Sequence, residues 1–299
     1  MGLCLVLPIG SAQSAVLVQE SFDYAGDANI GGLNGGTGFS GAWSGTNTAG
    51  SNSYTVEDGI SFPGVASSGG SAGRVSRDGR HVITRTVTGA AQSAFTGDNT
   101  TVYFSILMDP RSSDISGNSP FENNTRGTFV FGSSALSDAS GATPGIFGSA
   151  SSGIGVAFNG ANGGTVNNTT FENSNLVGVS YDGATAATII GGTGALGDVV
   201  SMVVGEITWS ANGSDDVINL YNVTDPSAGL PASAFATINV DLDQSTFNTI
   251  SYAEGQASQI DEIIFGEELA DVGVGLVPEP SSALLLSLSS LALLRRRRS

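Results

Sequence analysis

The chain has 299 residues, with 27 acidic side chains, ten arginines and no lysine, for a formal charge of −17. A surface this acidic repels a phosphate backbone, which excludes nucleic-acid binding. One cysteine (Cys4), one histidine (His81) and no lysine exclude a disulfide framework, a thiolate zinc site, histidine clusters and Schiff-base chemistry. Four of the arginines crowd the C-terminus; without them 27 acids face six arginines, a balance of −21.

The N-terminal residues 1–14 hold a short apolar core, Leu3 to Ile9, and then small residues. Ala12 and Ser14 fit the −3 and −1 positions of a secretory signal cleaved before Ala15. The basic start of such a signal is missing, so a buried first strand is the alternative. From residue 15 to 276 one β domain is expected. Short β-branched and aromatic runs at 16–24, 82–87, 101–108, 127–131, 154–158, 199–209, 217–223, 236–242 and 260–265 read as strands between Gly, Asn, Ser and Asp clusters. In 101–108, Val102, Phe104, Ile106 and Met108 share one face at period two. Gly-rich stretches at 31–50, 64–73, 132–153 and 159–168 read as surface loops. Apart from the C-terminal run, no interval shows a helical period over ten residues. The pattern predicts an all-β fold, a single jelly roll or β-sandwich. Glu20-Ser21-Phe22-Asp23-Tyr24 and the segment Gly32-Leu33-Asn34-Gly35-Gly36-Thr37-Gly38-Phe39-Ser40-Gly41-Ala42-Trp43 resemble the opening of concanavalin A-like jelly-roll bodies. Ile260-Asp261-Glu262-Ile263-Ile264-Phe265-Gly266 resembles their closing strand.

Candidate chemistry along this body is sparse. Trp43, in a Gly-rich loop, could stack on a sugar or pack as a lid on the sandwich, whereas Trp209 ends an apolar strand and reads as core. Arg74, Arg77, Arg80 and Arg85 fall within twelve residues of an otherwise acidic chain. They could grip a carboxylated polysaccharide by bidentate pairing, or pair internally with surplus acids. His81 is the only available base for a serine nucleophile, but no Gly-x-Ser-x-Gly elbow accompanies it, so it reads as a surface histidine at a strand start. Glu206 reads as a lone outward carboxylate. Asp261-Glu262 and Glu267-Glu268 read as the solvated ends of a last strand. No Glu-x-Asp-x-Glu spacing aims two carboxylates into one cleft, as a retaining glycosidase requires. Calcium would have to use Asp215-Asp216, Asp241 with Asp243, or the 109–114 loop; otherwise these are solvated acids. The expected body is non-catalytic and structural or adhesive. A carbohydrate-binding module is the alternative, and a glycoside hydrolase a distant one.

The C-terminal segment 277–299 is more specific. Pro278-Glu279-Pro280 precedes an apolar run from Ser281 to Leu294, closed by Arg295, Arg296, Arg297 and Arg298. Fourteen helical residues reach about 21 Å, short of the ~30 Å hydrocarbon core, so this short helix spans only a thinned bilayer. The arginines hold its end in the cytoplasm and the body outside. Motif, apolar helix and basic stop in this order resemble the PEP-CTERM sorting signal of bacteria. The resemblance implies an exosortase-type transpeptidase as partner, cleavage near Pro278-Glu279-Pro280, and passage from the inner membrane to the cell surface or an exopolysaccharide matrix. An uncut tail anchor is the alternative.

Overall fold

A computed structural model describes residues 16–45, 54–66, 69–74, 80–109, 126–136, 151–159, 164–166, 169–171, 175–183, 187–193, 199–255 and 258–275. The expected signal at 1–14 and sorting segment at 277–299 lie outside them.

The described chain opens with β1 (Val16–Glu20), β2 (Ser44–Gly45), β3 (Tyr54–Asp58), β4 (Gly70–Arg74) and β5 (Arg80–Thr86). A short helix α1 (Gly89–Phe95) then leads to β6 (Thr101–Asp109), β7 (Arg126–Gly132), β8 (Ser152–Asn159), β9 (Gly164–Val166) and β10 (Thr169–Phe171). The remainder is β11 (Asn175–Asp182), β12 (Thr188–Ile190), β13 (Ser201–Thr208), β14 (Asp216–Val223), β15 (Ala236–Val240), β16 (Thr249–Gly255) and β17 (Gln259–Gly266).

Two antiparallel sheets face each other as a jelly-roll β-sandwich, which is the all-β architecture expected. The eight-stranded sheet runs β15-β14-β13-β6-β17-β4-β3, with β1 also paired to β17. The seven-stranded sheet runs β12-β11-β8-β7-β16-β5-β2, and β9 and β10 form a separate ribbon.

Side-chain alternation builds the core. Val102, Phe104, Ile106 and Met108 of β6 point between the sheets, as period two predicts, and meet Phe129 and Phe131 of β7. Phe265 of β17 sits among Phe95, Phe104 and Phe131, with ring centroids 4.9, 5.6 and 5.5 Å away. Fully burying each such ring stabilises the fold by ~1.5–3 kcal/mol. Helix α1 is capped by the Thr88 hydroxyl, which accepts the Ala91 N–H at 3.2 Å, and it buries Ala91 and Phe95. With seven residues it is too short to show a helical period in the sequence.

Each of the nine runs read as strands holds one, with ends shifted by a few residues. The loop assignments need correcting: β2, β4, the first residues of β8, and β9 all begin inside Gly-rich stretches. Gly70 shows why. A Cβ there would sit 2.2 Å from the Phe22 carbonyl, so close backbone packing selects glycine within a strand.

The outer face of the eight-stranded sheet is divided. Over one part, Leu107, Met202, Val204 and Val223 are covered by Ile60 and Phe62 from the 59–66 segment and by Val272 and Val274 from the last turn. The rest, across β6, β13, β14 and β15, carries polar side chains.

Candidate functional site

The polar part of this outer face is assembled by strand register. Tyr103 of β6 stands opposite Glu206 of β13, Glu206 opposite Asn219 of β14, and Asn219 opposite Thr237 of β15. Tyr221, two residues beyond Asn219, shares the same face. The Glu206 carboxylate accepts from Tyr103 Oη at 3.4 Å, Tyr221 Oη at 3.3 Å and Asn219 Nδ2 at 3.2 Å. Thr237 Oγ1 in turn donates to Asn219 Oδ1 at 2.8 Å. Tyr103, Glu206, Asn219 and Tyr221 are half-buried, while Thr101, Thr208 and Thr237 around them are exposed. Burial first, and then the Glu206 charge, raises both phenol pKa values, so both hydroxyls stay protonated donors at neutral pH.

Under the 59–66 segment and the last turn lies a cleft of about 290 Å³, lined among others by Gln19, Val65, Ser105, Met202, Glu262 and Val272. Glu262 adopts φ +48° at a β-bulge in β17, where pairing to β6 shifts between Asp261 and Ile264. Asp261 beside it is fully buried. Its two oxygens accept the N–H groups of Ile60 at 3.0 Å and Glu262 at 2.8 Å. Desolvation dominates these bonds and pushes its pKa up to about 8. The expectation of solvated strand ends is therefore half right. Glu267 and Glu268 are exposed, whereas Asp261 and Glu262 are buried because the 59–66 segment lies across them.

The other sequence candidates divide plainly. Trp43 is 2 % exposed, stacked on Phe22 at 5.5 Å, and donates from Nε1 to Glu20 at 2.9 Å. Neither face is open to a sugar, which corrects its assignment as a ligand residue; it is the lid. Arg77 lies outside the described residues, as do the side chains of Arg74 and Arg80. Arg85, the fourth of that group, is buried and paired with Glu20 across the two sheets. It also donates to Gly41 O and Gly35 O and to Asn34 Oδ1 at 2.7–2.8 Å, with its guanidinium 4.0 Å above the Phe39 ring. Glu20 accepts in addition from Tyr24 Oη at 2.9 Å and the Phe22 N–H at 3.0 Å. Gly36, at φ +65°, would place a Cβ 2.2 Å from Gln19 O, so only glycine lets this loop lie on β1.

His81 is 2 % exposed, not a surface residue: it faces the core of β5, edge-on to Tyr54 at 6.3 Å. Glu254 stands opposite it in register, accepting the Ser258 N–H at 3.1 Å and hydroxyl at 3.3 Å. Ser258 and Glu254 are fully buried, so no substrate carbonyl reaches the hydroxyl. The calcium candidates serve the backbone. Asp216 accepts Ser210 N and Leu242 N at 2.7 and 3.1 Å, and Asp241 accepts Gly213 N at 3.0 Å. Burial raises the Asp216 pKa against the pull of those two N–H groups. Asp243 caps the 3₁₀ turn Gln244–Thr246, and of the 109–114 loop only Asp109 is described. Among the described residues no group of three His, Cys, Asp or Glu side chains could hold a metal ion, and no helix is long and apolar enough to cross a membrane.

No protein-family model and no curated protein matches the chain. Solved structures with a similar fold include a protein of unknown function from Shewanella oneidensis, with TM-score 0.47 and 11% identity over 83% of this chain and 84% of that one. A carbohydrate esterase of a Shiga toxin-encoding bacteriophage has TM-score 0.42 and 10% identity, covering 85% of this chain and 99% of its own. A carbohydrate-binding module from Bacillus subtilis has TM-score 0.36 and 11% identity, covering 75% and 94% respectively.

Proposed function

We propose that the protein is an exported surface or extracellular-matrix protein, delivered by its C-terminal signal, with a non-catalytic adhesive body that holds polysaccharide. The delivery rests on Pro278-Glu279-Pro280, the apolar run and Arg295 to Arg298 in sequence. An exosortase-type transpeptidase is the partner that signal calls for. The observation that carries the body's role is the open strip on the eight-stranded sheet. Two tyrosines, a carboxylate, an amide and exposed threonines lie in register there on rigid strands. Such a surface offers hydroxyl, amide and carboxylate groups to a polyhydroxylated chain while the backbone beneath stays fixed. A non-catalytic role is supported by the sequence, which holds no Glu-x-Asp-x-Glu spacing that would aim two carboxylates into one cleft.

Two measurements test this. The intact mass of the protein recovered from the host surface is expected to lack residues 281–299; a mass that retains them would sink the delivery. Binding of the protein to the host's exopolysaccharide and a glycan panel is expected to saturate and to persist with a calcium chelator. Flat responses across the panel would leave a purely structural matrix role.

A further inference from the structure

Among the described residues, Glu20 and Glu206 both accept directly from tyrosine hydroxyls, and they are built differently. Glu20 is saturated: an arginine, an indole, a phenol and a backbone N–H converge on it, the last three at 2.9–3.0 Å. Glu206 is not. Its two phenol contacts, at 3.3 and 3.4 Å, exceed the 2.5–3.0 Å span of a good O–H···O bond, and its amide contact at 3.2 Å is at the limit for nitrogen. A carboxylate has about four acceptor positions, so Glu206 keeps room for a closer donor between the tyrosines. No cation among the described residues supplies it. The sequence has no lysine, and Arg85, the one arginine whose side chain is described, is engaged with Glu20 between the two sheets. A second carboxylate, Glu268, adds its field at Tyr103.

We propose that the Glu206 strip is a subsite for amine-bearing sugars. The ammonium of a hexosamine unit would donate to Glu206 between Tyr103 and Tyr221, with ring hydroxyls bonded to Asn219 and to the threonine hydroxyls of Thr208 and Thr237. This deepens the glycan-binding reading above and rests on it. Charge complementarity selects the ligand. A half-buried carboxylate on a chain of net charge −17 repels uronic acids and sulfated sugars, accepts neutral hexoses weakly, and favours a cation. The flat, hydroxyl-lined surroundings suit a sugar ring better than the apolar stem of a lysine side chain.

The test uses the full chain and three tetrasaccharides: β-1,4-linked glucosamine, its N-acetylated form and its glucose counterpart. The glucosamine tetramer should bind at least about tenfold tighter than the other two, because a charge-assisted hydrogen bond is at stake. That preference should weaken with added salt and fade as pH rises past the pKa of the sugar amine. Glu206→Gln should abolish it while the thermal midpoint stays within a few degrees, and Tyr221→Phe should lower affinity several-fold. Equal binding of all three tetramers, unchanged by Glu206→Gln, would overturn the subsite and leave glycan binding standing. Binding of none would overturn the subsite; the same sample binding the host exopolysaccharide would then leave the broader glycan reading standing, and no binding there either would overturn both. A lysine-rich peptide displacing the glucosamine tetramer at equal concentration would reassign the strip to a protein partner.

Discussion

Arg85 and Glu20 form the most consequential pair of side chains, because they tie β5 of one sheet to β1 of the other. Arg85→Ala leaves a fully buried carboxylate facing an indole and a phenol, and should cost about 3–5 kcal/mol. Urea denaturation measures this; the Glu20→Ala and Arg85→Ala losses should be far from additive in the double variant. Asp261 supplies the pH dependence. Its folded pKa of about 8 lies above the ordinary 3.8, so the folded state holds its proton where the unfolded chain has released it. Stability should therefore fall as pH rises from about 4 to 8 and level off above, and Asp261→Asn should flatten that slope in denaturant titrations. At this scale the sequence was only partly legible. The opening motif that resembles concanavalin A-like bodies contains Glu20, Tyr24, Asn34, Gly35 and Trp43, which are the members of this network. Nothing local links them to Arg85, which is 65 positions from Glu20. Glu206 looked solitary for the same reason: its partners sit on neighbouring strands, at 103, 219 and 221, where no spacing rule along the chain connects them.

Among the elements, β6 and β13 form the floor of the open strip, and their fit depends on Gly205. The Phe104 ring lies across Gly205 from the neighbouring strand, where a Cβ would come within 2.0 Å of it. Gly205→Ala should destabilise the protein by about 1–3 kcal/mol through this overpacking, and the shift in the urea midpoint would reveal it. A change of under 0.3 kcal/mol would mean that the ring moves aside freely. Strands of this kind were readable because one face is apolar at period two and the other mixed, as in 101–108. β11 and β16 escaped notice although both are internal to the seven-stranded sheet. The apolar pattern of β11 is interrupted by Gly178, whose missing Cβ lets Ala236, Ile238 and Leu220 of the other sheet approach. In β16 the face opposite Ile250 and Tyr252 carries Ser251 and Ala253, both buried, so burial on two sides leaves no polar alternation to read. His81 was misjudged for a related reason: its charged surroundings in sequence, Arg80 and Asp78, say nothing of the strand that packs over it.

For the whole molecule, the strong acidity and the order Pro278-Glu279-Pro280, apolar run, four arginines were legible at once because composition and terminal patterns need no tertiary contacts. The polar strip around Glu206 was not, since it exists only after β6, β13, β14 and β15 align. The last strand of the body, Gln259–Gly266, is not at an edge: it joins β6 on one side and β1 and β4 on the other. The larger sheet therefore lacks its middle until nearly the whole body has been made. A chain delivered N-terminus first waits open, its first strand held only by the Gln19–Thr37 bridge, until the final segment arrives and locks both ends together. Under the proposed export this is useful timing, because a thread passes through a narrow translocation channel and a finished sandwich does not. A chain ending at residue 258 should show no cooperative unfolding transition, and one that melts sharply would refute this order of assembly.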